Sequence, residues 1–82
     1  MEVRLLFHDL SAAERARESR WHTSQQQIQR DDGKLELRFS VAGLLEILSW
    51  ILGWGDAVEV LDPPDLRTQV ASIAHDMAAR YA

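Results

Sequence analysis

Apolar and polar residues alternate at the start of the chain, with Val3, Leu5 and Phe7 on one side of an extended run and Arg4, Leu6 and His8 on the other. This period of two predicts a half-buried strand, and the extra leucine on the second side predicts a central one. Ser11-Ala-Ala-Glu14 has the form of a capping box ahead of a short helix over residues 12–19. Ala12, Ala13 and Ala16 are nearly all of that helix's apolar content, with Leu10 as a staple. It is therefore expected outside the sheet and only weakly anchored. A polar run ending in Ile28 follows, then Asp31-Asp32-Gly33-Lys34, and Asp-Gly between two extended runs is a strong hairpin signal. The second arm has the clearest alternation, with Leu35, Leu37, Phe39 and Val41 against Glu36, Arg38 and Ser40. Its glutamine-rich partner suits an edge strand or one completed by another chain.

The centre of the chain, VAGLLEILSWILGWGDAVEVLDPP over residues 41–64, is where the pattern changes character. Between Leu44 and Trp54 only Glu46, Ser49 and Gly53 are not apolar, a wider oily surface than the single stripe of a surface helix. Leu44, Ile47, Leu48 and Ile51 form the expected inward stripe. Trp50, Leu52 and Trp54 lie off it and are the candidate partner contacts, because a second apolar side must be covered by something. Gly53 and Gly55 fit a helix C-terminal cap and turn requiring a positive φ. Val58 and Val60 then mark a further strand, closed by Asp62-Pro63-Pro64-Asp65, with Asp62 as the expected cap of the next helix. That last helix carries Leu66, Val70, Ile73, Met77 and Tyr81 on one face, broadened by Ala71, Ala74 and Ala78.

Strand, helix, strand, strand, helix, strand and a final helix define an α+β class. The simplest topology with right-handed crossovers is a ferredoxin-like βαββαβ two-layer sandwich with an additional C-terminal helix, both main helices lying on one face. Residues 1–82 read as a single domain without internal repeats.

Composition narrows the function. At 82 residues one small core is available, so a partner surface would add stability. Thirteen acids against nine bases, a net charge of −4, argue against a free-standing nucleic-acid binder. Without cysteine there is neither a disulfide framework nor a thiolate metal site, which fits a reducing, cytoplasmic setting. The longest apolar run is too short and interrupted for a bilayer span of roughly 20 residues, so no membrane partner is expected. The chain starts directly in a strand-like run and is read as a piece of a longer protein.

The side chains that carry chemistry do not converge on a reaction. Glu14 and Glu18 stand one helical turn apart but are read as a solvated face beside Arg15 and Arg17. Asp31, Asp32 and Gly33 lack the remaining oxygen ligands of a calcium loop. His75 and Asp76 are adjacent and point to different sides of a helix. Ser24 has His22 nearby but no orienting acid. Gly43, Gly53 and Gly55 lack the lysine and spacing of a phosphate loop. No catalytic residue, metal ligand or cofactor site is assigned, and an enzyme is not expected. Arg20, Trp21, His22 and Gln25, within RWHTSQ, are the polar residues left as a candidate ligand groove.

These segments together resemble the C-terminal extension, WCX, of bacterial WYL-domain transcriptional regulators. The resemblance rests on VRLLF, on RWHTSQ, on GKLELRFSVAGLLEILSWILGWG at 33–55 and on AVEVLDPPDLRTQV at 57–70. In the family the second segment commonly reads Trp-His-Pro-Ser-Gln, and here Thr23 replaces the proline, leaving that backbone less constrained. The resemblance implies a ferredoxin-like, non-catalytic regulatory and dimerisation module. Upstream WYL and helix-turn-helix domains of the same polypeptide would precede it, with DNA bound only through the N-terminal domain absent from this chain. The basic ligand-binding residues of a WYL domain have no counterparts here. A ligand-sensing role, for a small molecule or nucleotide, is the alternative.

Overall fold

Residues whose apolar side chains recur every second position are drawn into strands, because pairing satisfies their backbone while one side sheds water. In the computed structural model, which describes residues 1–18, 22 and 24–82, this yields β1 (Glu2–Phe7), β2 (Gln26–Gln29), β3 (Leu35–Ser40) and β4 (Val58–Asp62). Three helices alternate with them: α1 (Leu10–Glu18), α2 (Leu45–Leu52) and α3 (Pro64–Arg80). The fold is a small α+β arrangement with one four-stranded sheet in the order β2-β3-β1-β4, every neighbouring pair antiparallel. β1 is central, as its second-face leucine predicted.

Register decides the layers. Val3, Leu5 and Phe7 stand opposite Phe39, Leu37 and Leu35, so the odd-numbered positions of both central strands share one face. On that face they form one core with Val60 of β4, Ala12, Ala13 and Ala16 of α1, Ile47 and Ile51 of α2, and Leu66 of α3. Burying a leucine- or phenylalanine-sized side chain stabilises by about 1.5–3 kcal/mol, so the paired central strands account for much of the fold.

Several local expectations give way to the packing. Helix α1 is capped by Asp9, whose Oδ1 accepts from the Ala12 amide at 2.7 Å, and not by the Ser11 box. The cap moved upstream because the helix starts one residue before Ser11, at Leu10, which itself is exposed. Nor is α1 weakly anchored: all three of its alanines are buried, their small side chains letting the helix backbone approach the sheet. Its last turn is tied to the edge strand, since Gln27 donates to the Arg17 carbonyl at 2.8 Å and Arg17 donates to Gln29. The glutamines of β2 therefore satisfy a helix end as well as blunting an edge.

At the hairpin, Gly33 has a φ of 84° and Lys34 donates its amide to Asp32 Oδ1 at 3.0 Å. After α2, only Gly55 takes a positive φ, 63°, whereas Gly53 stays right-handed at −64°. The expected paired role is thus carried by one glycine, because a short 3-10 turn over Gly55–Ala57 completes the reversal. Helix α3 opens on Pro63 with no side-chain cap, so Asp62 does not serve; it ends β4, and the Asp62–Pro63 peptide is cis. Arg67, one turn into α3, donates to the Val60 carbonyl at 2.8 Å and to Glu59 at 2.9 Å, closing the outer edge of β4.

Candidate functional site

The two aromatic residues of α2 and its exit turn belong to the core's margin. Trp54 meets Phe7 edge-on at 5.0 Å between ring centroids, and Trp50 meets Phe39 at 5.8 Å and Trp54 at 5.7 Å. Edge-to-face rings at such spacings attract beyond their buried area. The Arg15 guanidinium lies 5.0 Å over the Trp54 ring, so α1 also contributes to this corner. The inward side of α2 is accordingly wider than the stripe read from the sequence: Ile47 and Ile51 are buried, Leu44, Leu48, Trp50 and Trp54 pack against the core, and Leu52 is half-buried. Trp50 and Trp54 keep partly exposed edges around a depression of about 310 Å³ with Arg15, Ser49 and Gly53.

The polar groove expected at RWHTSQ is only partly open to description, since Arg20, Trp21 and Thr23 lie outside the described residues. His22 and Gln25 are half-buried. Ser24 Oγ accepts from the Ser40 amide at 2.8 Å, lies 3.1 Å from the Ser40 carbonyl, and sits 2.7 Å from His22 Nδ1. The hydroxyl thus pairs with the end of β3 as another strand's peptide would, which gives this serine a structural use. His22 also lines a hollow of about 370 Å³ with Val41, Ala42, Gly43, Leu45 and Glu46. Gln25 is held by its amide to the His22 carbonyl at 3.1 Å. Leu45, at 82% exposure, projects beside this hollow and was not singled out by periodicity.

The opposite face of the sheet holds the one buried ionic group among the described residues. Glu36 is 3% exposed and lies between Ile28 of β2 and Leu6 of β1. Arg4, Arg30 and Arg38 donate to its carboxylate at 3.0, 3.1 and 2.8 Å. The Arg4 hydrogen bond, opposed by burial and reinforced by Arg38, brings the Glu36 carboxyl down to about 2. Sequence reading placed Glu36 on the polar side of β3; that three arginines from three places meet on it needed the register. On β4, hydrogen bonds from Arg67 and then His8 hold the Glu59 carboxyl below its ordinary range. Both networks lock side chains of the uncovered face in place. Among the described residues no group of three His, Asp or Glu stands together as metal ligands would.

The last helix departs most from its expected packing. Its five-residue apolar stripe buries only Leu66; Val70 packs on the core's margin, while Met77 is 53% and Tyr81 89% exposed.

The chain belongs to the WCX domain family, whose model matches residues 1–78. Among curated proteins none matches it. Among the described residues no helix is long and apolar enough to cross a membrane.

Proposed function

We propose that this chain is a non-catalytic regulatory and dimerisation module of a bacterial, cytoplasmic WYL-type transcriptional regulator, the C-terminal part of a longer polypeptide. WYL and helix-turn-helix domains precede it in this reading, and DNA is engaged only through the latter. The observation that carries the reading is family membership across 78 of the 82 residues. A core already closed by β1 and β3, with apolar side chains still exposed on α2 and α3, supports the self-association part. The strand order, with β1 and β3 central and helices on one face, supports a ferredoxin-like topology with α3 appended. The direct test is sedimentation of the 82-residue chain: a concentration-dependent dimer is expected, and a strict monomer at high micromolar concentration overturns the self-association claim.

A ligand-sensing role is favoured by one feature, the hollow beside His22 and Leu45. A thermal-shift screen with metabolites and nucleotides checks it, stabilisation that is lost in His22→Ala being the expected result.

A further inference from the structure

Helix α3 is 17 residues long, which at a rise of about 1.5 Å per residue is longer than its contacts require. Its first turns are fully used: Leu66 is buried, Arg67 holds β4, and Val70 packs on the core. Ile73 is half-buried, and beyond it the apolar stripe continues to Met77 and Tyr81, both of which are exposed. Ala74 and Ala78 border the stripe on one side. On the other side stand an acid and a base one turn apart, Asp76 and Arg80, neither of which joins an ion pair among the described residues.

We infer that this distal half of α3 is the surface on which a second copy docks, helix against helix and antiparallel, with Met77 at the two-fold axis. The inference rests on the self-association reading above and names its contact. Charge selects the occupant. In an antiparallel pair the same flank of each helix meets its counterpart. With Met77 facing Met77 of the second copy, Ile73 falls opposite Tyr81 of that copy. Arg80 then comes beside Asp76 of the second copy, and Asp76 beside its Arg80, so the contact is complementary to itself as a two-fold interface must be. In a parallel pairing opposite flanks meet, so the charged flank would lie against Ala74 and Ala78 of the second copy and find no opposite charge. The antiparallel register also leaves the core-bound first turns of both helices untouched and opposes the two helix dipoles. The alanines permit close approach of the backbones. A contact of two to three turns a side belongs with small, transient interfaces, below roughly 1,200 Å² of buried surface, so a weak and concentration-dependent dimer is expected.

Two charge reversals test this. Asp76→Arg gives a chain whose flank is wholly basic, and Arg80→Asp one whose flank is wholly acidic. Each alone should self-associate at least about tenfold more weakly than the original chain in sedimentation, because like charges are brought together. Mixed in equal amounts they should form a heterodimer with affinity restored to the original or better. Neither variant has an opposite charge left within its own flank, so recovery on mixing can arise only between chains. Met77→Glu is a second block, expected to yield monomer, and thermal unfolding checks that all three stay folded. If the original chain dimerises and the variants associate as it does, the α3 contact is overturned while dimerisation stands, through the Trp50 and Trp54 side or another face. If the original chain is monomeric at every concentration, both fall.

Discussion

Helix α1 has nine residues and an apolar content of little more than three alanines, and all three are buried; α3 has seventeen residues and a stripe of four apolar residues that runs on to Tyr81 just past its end, and one member is buried. The difference lies in what each helix has beneath it. α1 lies against the central strands, with glutamines of β2 tying its last turn, so small side chains suffice to exclude water and larger ones would not fit. α3 lies against the edge strand β4 with its first turns, and at its far end Met77 and Tyr81 stay exposed although their helical spacing is correct. Apolar content measures what a helix has to bury; its position over the sheet determines how much is buried.

The largest effect expected from this comparison is at the base of α3. Leu66→Ala should lower stability by about 2–5 kcal/mol in denaturant unfolding, the range for a fully buried leucine. A loss below about 1 kcal/mol would mean that α3 is not anchored to the core at all. Next comes overpacking of α1. Ala13→Leu adds volume where the helix backbone approaches the sheet and should cost about 1–3 kcal/mol, although it raises the apolar content of the helix. If it stabilises instead, the weak anchoring expected from composition was right.

Acid separates these apolar contributions from the ionic one on the other face. The Glu36 carboxyl is lowered from 4.5 to about 2 in the folded chain. A depressed folded value means that Glu36 contributes stability above its ordinary value. That contribution is lost as pH falls from about 4.5 towards about 2, and it is absent below both. Glu36→Gln should cost about 1–3 kcal/mol near neutrality and flatten this part of the acid-unfolding profile. A mutant profile parallel to the original would remove Glu36 as its source. Leu66→Ala and Ala13→Leu should shift the profile without changing that slope. The smallest effect belongs to the far end of α3: Met77→Ala should change monomer stability by no more than about 0.5 kcal/mol, as at an exposed site. A larger loss at dilutions where the chain is monomeric would show that the distal stripe packs within its own chain.

Much of this architecture was legible in the sequence. The alternation of Val3-Leu5-Phe7 and Leu35-Leu37-Phe39 identified both central strands and their inward side, and Asp32-Gly33 identified the hairpin. The candidate sites were read less completely. Trp50 and Trp54 were assigned to an outward side because a helical wheel gives direction only relative to one stripe; Phe7 and Phe39 extend the core to them. The meeting of Arg4, Arg30 and Arg38 on Glu36 depends on cross-strand register, which periodicity within one strand does not contain.

The amino-acid sequence by itself determined the elements, their order and the family, because periodicity, turn chemistry and local motifs act over a few residues. Tertiary structure alone decided which apolar side chains found cover, which carboxylate was enclosed and which end of α3 stayed exposed. Those outcomes depend on distances between segments far apart in the chain, and local spacing carries no information about them.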